Sequence, residues 1–111
     1  MKSVAESLEF RIADGVLHVK LKGDIDHHSA KGIRKRIDSE LFILRPEEIR
    51  LDLSAIDFMD SSGLGLILGR YQTATEMGID FTLFEPSESV CKILKLSGCE
   101  KMINIVRRKQ K

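Results

Sequence analysis

The chain has 111 residues, close to the commonest size of a single domain, and we expect one domain over residues 1–111. Its 18 Lys and Arg residues against 17 Asp and Glu give a formal net charge of +1, and 42% of the residues are hydrophobic. This balance excludes a disordered polyelectrolyte and argues against nucleic-acid binding, which needs cations gathered on one face. The one concentrated positive charge is the tail 107–111, which we interpret as a solvated chain end.

We expect no membrane span, no secretory signal and no zinc site from this sequence. Its longest stretch without a charged residue runs from 61 to 69, whereas a membrane span needs about 20 residues. Glu6 precedes any apolar segment at the N-terminus, so we expect no secretory signal and a reducing, cytoplasmic location. Cys91 and Cys99 lack the neighbours of a zinc site and are predicted to be reduced thiols.

The first half of the chain predicts a hairpin followed by a helix. Apolar residues alternate over 8–12 and again over 17–21, and Asp14-Gly15 between them is typical of a tight antiparallel turn. From Asp26 onward the apolar period becomes helical, and Pro46 ends this helix. The residues predicted to share its buried face are Ala30, Ile33, Ile37, Leu41 and Leu44.

The second half alternates strands and helices. In chain order we predict a strand containing Ile49, Leu51 and Leu53, a helix from Leu64 to a Gly78 cap, a strand over 79–83, a helix from Pro86-Ser87 to Gly98 and a strand over 102–106. Gly65 and Gly69 lie four apart on the first of these helices, which predicts that it packs closely on the sheet.

This order predicts an α/β fold with a mixed, mostly parallel sheet of four to five strands, opened by a β-hairpin, and three or more helices. The sequence leaves open whether the helices cover one face of the sheet or both. Asp52 and Asp80, within otherwise apolar strands, favour a sheet that has one partly wet face.

The turn Asp60-Ser61-Ser62-Gly63 carries the most informative chemistry. A strand ends and a helix begins there, so unpaired backbone N–H groups and the positive end of the helix dipole favour an anion. One interpretation is that a serine caps the helix, since Ser is a preferred N-cap. Another is that a hydroxyl accepts a phosphoryl group of about −1.5 to −2 charge.

Two enzyme interpretations of the same turn remain open. Ser61-Ser62-Gly63 supplies the second half of a hydrolase nucleophile elbow, but Met59 stands where its first glycine belongs, and a triad would need Asp26 with a neighbouring histidine. Gly63, Gly65 and Gly69 resemble a dinucleotide fingerprint that is one residue too long. The chain is too short for both nucleotide-binding halves.

The segment Asp24-Ile25-Asp26-His27-His28 places two carboxylates beside two imidazoles. We expect no metal there, because neighbouring residues at a turn point in different directions and Asp26 is a good N-cap. His18, in the middle of a predicted strand, is interpreted as a surface or packed imidazole.

The segment from Phe58 to Tyr71 resembles, over fourteen consecutive positions, the signature of bacterial anti-sigma factor antagonists, the STAS domains, and most closely the sporulation type that regulates sigma-F. Residues 23–28 resemble the family's first strand-to-helix turn, and residues 86–98 resemble its third helix. The chain departs from the family at its end, where members commonly continue into a C-terminal helix; the sequence leaves open whether a short helix is present.

The resemblance implies a non-enzymatic binding module controlled by phosphorylation, without a cofactor. The phosphoryl acceptor of the family falls on Ser61, with Ser62 as helix cap. The kinase is the anti-sigma factor itself, using ATP; the unphosphorylated antagonist binds it in its ADP state and frees the sigma factor, and a PP2C-type phosphatase resets the phosphorylated form. The implied docking surface comprises Asp24, Asp26, His27, Asp60, Ser61, Ser62, Gly63, Leu64 and Gly65.

Phosphorylation of Ser61 would change the formal net charge from +1 to roughly −1 and place a dianion beside Asp60. We expect a local electrostatic block of binding with little backbone movement, the helix N-terminus holding the phosphate in place. The free chain is expected to be monomeric. A general-stress antagonist of the same family is the nearest alternative.

Overall fold

The computed structural model describes residues 7–107, which form a five-stranded sheet with three α-helices. In chain order the elements are β1 (Leu8–Ala13), β2 (Val16–Ile25), α1 (His27–Leu44), β3 (Glu48–Met59), α2 (Ser61–Glu76), β4 (Asp80–Phe84), α3 (Glu88–Ser97), a 3-10 turn (Cys99–Lys101) and β5 (Asn104–Val106). The strands lie in sequence order, with β1 antiparallel to β2 and the other pairs parallel. The predicted fold class is confirmed.

The predictions about the chain ends fall largely on residues 1–6 and 108–111, which lie outside the described residues. Arg107 is described, and its guanidinium lies 3.6 Å from the Glu100 carboxylate. Within residues 7–107 no helix is long and apolar enough to cross a membrane. Cys91 and Cys99 are free cysteines.

The opening hairpin forms as its turn residues predict. Asp14 and Gly15 both have left-handed backbone angles, with φ of 51° and 78°. Two consecutive positive φ values give the turn type whose twist matches that of the two strands.

The core lies on one face of the sheet. Along β2, buried Leu17, Val19 and Leu21 alternate with His18, Lys20 and Lys22, which are half-buried or exposed. Helices α1 and α2 contact each other and pack on the apolar face, α1 against β2 and α2 against β3 and β4, while α3 packs against β3. Asp52 is half-buried and Asp80 is exposed, as expected of a sheet with a partly wet face.

Helix α1 buries Ile33, Ile37 and Leu41, but the prediction that Leu44 is buried is wrong. Leu44 is 40% exposed because it is the last residue of the helix, before Arg45 turns the chain with a φ of 43°. Helix α3 begins after its Ser87 cap and ends at Gly98, as predicted.

The prediction that Gly65 and Gly69 bring α2 close to the sheet is also wrong. A Cβ built at either position has no neighbouring atom within 4 Å, so both residues face open space. The close approach occurs instead at Gly63, in the first turn of α2. A Cβ there would overlap the Met59 side chain and lie 3.1 Å from the Ile25 carbonyl oxygen.

Candidate functional site

Two strand-to-helix turns meet at the carboxyl end of the sheet. The first, residues 24–28, connects β2 to α1, and the second, residues 60–65, connects β3 to α2; we call them the paired turns. Ile25 and Met59 are neighbours in the sheet, and the Asp60 N–H donates a hydrogen bond of 3.3 Å to the Ile25 carbonyl. The predicted docking residues thus lie on two turns in direct contact.

Asp60 is the N-cap of α2. Its carboxylate oxygen Oδ1 accepts hydrogen bonds from the N–H groups of Ser62, at 2.8 Å, and Gly63, at 3.3 Å. The predictions that a serine, and specifically Ser62, caps this helix are therefore wrong. Asp60 precedes the helix with an extended backbone, and from that position its short side chain reaches the two orphan donors.

The Asp60 cap reduces the number of backbone N–H groups that are available to an anion at the start of α2. We expected unpaired N–H groups there, but the Asp60 carboxylate already holds those of Ser62 and Gly63, and the Leu64 N–H donates to the Asp60 carbonyl at 3.2 Å. The expectation that these three N–H groups are unpaired is therefore wrong, whereas the expectation that the helix end holds a phosphate on Ser61 stays a prediction.

The Ser61 side chain is exposed at the first position of α2. Among residues 7–107 no hydrogen-bond partner is found for its hydroxyl, whereas Ser62 beside it is half-buried. A hydroxyl in this position is accessible to a second protein. Leu64 packs against the edge of the core and Gly65 is exposed.

The first turn is held by a capping box. Asp26 Oδ1 accepts from the N–H groups of His28, at 2.9 Å, and Ser29, at 3.1 Å, while the Asp26 N–H donates to Ser29 Oγ at 3.1 Å. The bond from the Ser29 N–H is the main cause of a lowered pKa for Asp26, and the bond from the His28 N–H adds to it. Asp26 is therefore the predicted N-cap, and it stays ionised at neutral pH.

Asp24, His27 and His28 are exposed in this turn. No group of three or more His, Cys, Asp or Glu side chains in residues 7–107 is placed to hold a metal ion. Within the same range neither His27 nor His28 forms a hydrogen bond with Ser61, so the base of a hydrolase triad is not assembled. His18 lies on the other face of the sheet, where burial first and then Arg11 and Arg50 lower its pKa.

An ion pair that the sequence analysis missed fixes the two helices that follow the paired turns. Arg70 of α2 is only 6% exposed, and its Nε lies 2.9 Å from Asp38 Oδ1 of α1. The contact is ionic, because its angle does not meet hydrogen-bond geometry. A charged residue within a helix ordinarily predicts a solvated face, so the sequence carries no signal for this burial.

Residues 7–111 match the family model described as the STAS domain. The chain belongs to the STAS domain family. It is 38% identical over 91 residues to the anti-sigma F factor antagonist of Paenibacillus polymyxa, a match that covers 82% of this chain and 78% of the relative.

Solved structures of SpoIIAA extend the likeness to the fold of this STAS domain. The anti-sigma factor antagonist SpoIIAA in its unphosphorylated form is 28% identical, with a TM-score of 0.77 over 88% of this chain and 86% of that one. The Bacillus cell fate determinant SpoIIAA in its phosphorylated form is 27% identical, with a TM-score of 0.71 over 88% and 89%. The predicted family and its anti-sigma factor antagonist branch are confirmed.

Proposed function

We propose that this STAS domain is a phosphorylation-controlled anti-sigma factor antagonist in which Ser61 is the switch. Unphosphorylated, it binds an anti-sigma factor that is also a serine kinase, and this binding frees the sigma factor. Phosphorylation of Ser61 by that kinase blocks binding, and a PP2C-type phosphatase restores the active form. The observation that carries the proposal is the exposed Ser61 side chain at the start of α2, whose hydroxyl has no hydrogen-bond partner among residues 7–107.

Sporulation is the pathway that the sequence relatives favour, because the Paenibacillus polymyxa protein is named for sigma-F. The existence of SpoIIAA structures in phosphorylated and unphosphorylated forms supports control by phosphate in this branch of the family. A monomeric free state, a cytoplasmic location and independence of cofactors stay predictions.

The docking surface in this proposal consists of the paired turns. Ser61 lies at its centre, with exposed Asp24 and His27 on one turn and exposed Gly65 on the other. Asp26, Asp60, Ser62 and Leu64 are half-buried, and buried Gly63 contributes backbone rather than a side chain. Direct contact between the turns means that one partner surface can cover both.

The charges at the second turn support the proposed block of binding. A phosphate on Ser61 would lie next to the Asp60 carboxylate, and this carboxylate already accepts the N–H groups of Ser62 and Gly63. The phosphate would therefore project a dianion towards the partner without those two donors to neutralise it. An unpaired charge buried at an interface costs several kcal/mol, which corresponds to a loss of about two to three decades in affinity.

The direct test is binding to the purified cognate anti-sigma factor with ADP, measured by calorimetry for the wild type and three variants. We expect Ser61→Ala to bind like the wild type and Ser61→Asp to lose at least about 100-fold in affinity. Ser39→Asp is the matched control: Ser39 is exposed on α1, about 18 Å along the helix axis from its start, and we expect its substitution to leave binding unchanged.

Equal binding by Ser61→Asp and the wild type would contradict the switch. The enzyme alternative makes a different prediction, because it requires turnover of an ester or nucleotide substrate that Ser61→Ala abolishes. The missing contact between Ser61 and either neighbouring histidine argues against it.

A further inference from the structure

An exposed aromatic residue belongs to the end of the strand that leads into the proposed switch. Phe58 is 54% exposed, although it belongs to β3 and precedes Ser61 by only three residues. Eight large hydrophobic residues are exposed in the described part of the chain, and Phe58 is the one that adjoins the paired turns in sequence. A single exposed hydrophobic residue is ordinary, so a role for Phe58 depends on the local backbone and on the charges beside it.

A bulge in β3 turns Phe58 outward. Along β3 the buried side chains are Ile49, Leu51 and Leu53, and then Ile56 and Met59, so the period of two changes to three. Gly23 pairs with Ile56 and Asp24 with Phe58, which leaves Asp57 as the extra residue. Without it Phe58 would continue the buried face after Ile56; bulges near functional sites re-aim side chains in this way.

The surroundings of Phe58 are acidic. Asp24, its partner in the sheet, and Asp57, its neighbour in sequence, are both exposed, and the half-buried caps Asp26 and Asp60 follow the two strand ends. The nearest basic side chain in β2, Lys22, lies 3.5 Å from the Glu9 carboxylate. His27 and His28 are the other titratable groups of these turns. An exposed aromatic residue with one exposed carboxylate opposite it in the sheet and another next to it in sequence suits a protein surface with an apolar pocket and a basic rim.

We propose that Phe58 is the aromatic anchor of the docking surface and inserts into an apolar pocket of the anti-sigma factor whose rim carries Lys or Arg side chains facing Asp24 and Asp57. This inference rests on the proposed function and adds to it the residue that supplies affinity. Ser61 then acts as the switch beside the anchor, and phosphate blocks the approach that seats the ring. Aromatic anchors of this kind dominate interface energies, while their neighbours mainly exclude water.

The experiment compares Phe58→Ala with a control of nearly equal exposure. Phe42, 56% exposed in the last turn of α1, belongs to the end of α1 remote from its Asp26 cap. Using the wild-type chain and the purified cognate anti-sigma factor with ADP, we expect Phe58→Ala to lose about 30-fold in affinity and Phe42→Ala to bind like the wild type. Phe58→Leu, which keeps an apolar side chain, should recover part of the loss.

The charge of the rim is tested separately by association kinetics. Asp57→Asn should lower the association rate constant at low salt, and the difference from the wild type should fade at high salt. An association rate constant of Asp57→Asn at low salt that equals or exceeds that of the wild type would overturn the proposal that the partner's pocket has a basic rim.

The possible failures are distinguishable. Wild-type affinity of Phe58→Ala, with Ser61→Asp still unable to bind, overturns the anchor and leaves the proposed function standing. If the wild type itself does not bind the anti-sigma factor, both proposals fail. Thermal melts of all variants separate a loss of fold from a loss of contact, since truncating a half-exposed side chain leaves no closed cavity.

Discussion

The two strand-to-helix turns have the same type of capping residue, an aspartate, and differ in how they use serine. Each helix begins after an aspartate, Asp26 or Asp60, whose Oδ1 accepts two backbone N–H groups. In the first turn Ser29 completes the cap, accepting from the Asp26 N–H at 3.1 Å and donating to the Asp24 carbonyl at 3.2 Å. In the second turn Ser61 lies outside the cap and its hydroxyl is exposed.

This difference separates a structural serine from a serine available for chemistry. Because the Asp60 carboxylate accepts the N–H groups of Ser62 and Gly63, the cap does not use the Ser61 hydroxyl, and these two donors are occupied when a phosphate arrives. The second turn therefore combines a stable helix start with an unprotected side chain.

The largest effect on stability should come from the ion pair between α1 and α2. Arg70→Ala removes the buried partner of Asp38 and leaves this half-buried carboxylate only the exposed Arg34, 4.0 Å away, which should cost about 3 kcal/mol in the free energy of unfolding. Urea denaturation measures this loss. Arg34→Ala is the control, because Arg34 contacts the same Asp38 at 4.0 Å but its side chain is 65% exposed, and we expect a change below about 0.5 kcal/mol. Equal losses of stability in the two variants would contradict the view that the buried ion pair with Arg70 holds the helices together.

A smaller loss is expected where the turns touch. Gly63→Ala forces a Cβ against Met59 and the Ile25 carbonyl oxygen and should cost about 1–3 kcal/mol. Gly65→Ala, two residues on in the same helix, meets open space and should stabilise the chain by up to about 1 kcal/mol. Thermal unfolding checks the opposite signs, and a shared sign would contradict the close contact assigned to Gly63.

Replacing Ser29 by Ala should lower the free energy of unfolding by about 1 kcal/mol more than replacing Ser61 by Ala. Ser29→Ala removes the hydroxyl from the capping box and should destabilise the chain by about that amount. Ser61→Ala removes a side chain without a bonded partner in the described residues and should change the free energy of unfolding by less than about 0.5 kcal/mol. A larger loss for Ser61→Ala would mean that its hydroxyl has a structural role.

The smallest expected effect is a loss of stability at acid pH through the Asp26 cap. The pKa of Asp26 lies below its ordinary value of 3.8, chiefly because the Ser29 N–H binds the carboxylate, so the charged cap stabilises the fold above the ordinary value. That contribution is lost as pH falls through the lowered pKa. The wild type should therefore lose stability relative to Asp26→Asn as pH drops from 5 towards 2, a series that unfolding by denaturant can follow. A constant difference across this range would contradict the assignment.

The order of the elements could be predicted because each carries a local signal. Asp14-Gly15, the helical period after Asp26 and the Gly98 cap depend on neighbouring residues alone. The site residues followed in part from the same patterns and in part from the resemblance, and their roles in docking stay predictions.

The remaining features depend on contacts between distant parts of the chain. Asp60 and the following serines are all good caps by type, so only the backbone geometry shows which one bonds. A glycine is needed at position 63 because the Ile25 carbonyl of another strand lies too close for a Cβ. Arg70 can be buried because Asp38 of another helix pairs with its charge. The outward direction of Phe58 depends on a register shift between β2 and β3.

The most direct measurement is the site of phosphate transfer. Incubating the chain with its cognate anti-sigma factor and ATP, followed by mass mapping of the modified peptide, should place a single phosphate on Ser61 and none on Ser29, with no modification of Ser61→Ala. Phosphate on Ser29 or Ser62, or continued modification of Ser61→Ala, would contradict the claim that the hydroxyl left free by the Asp60 cap is the switch.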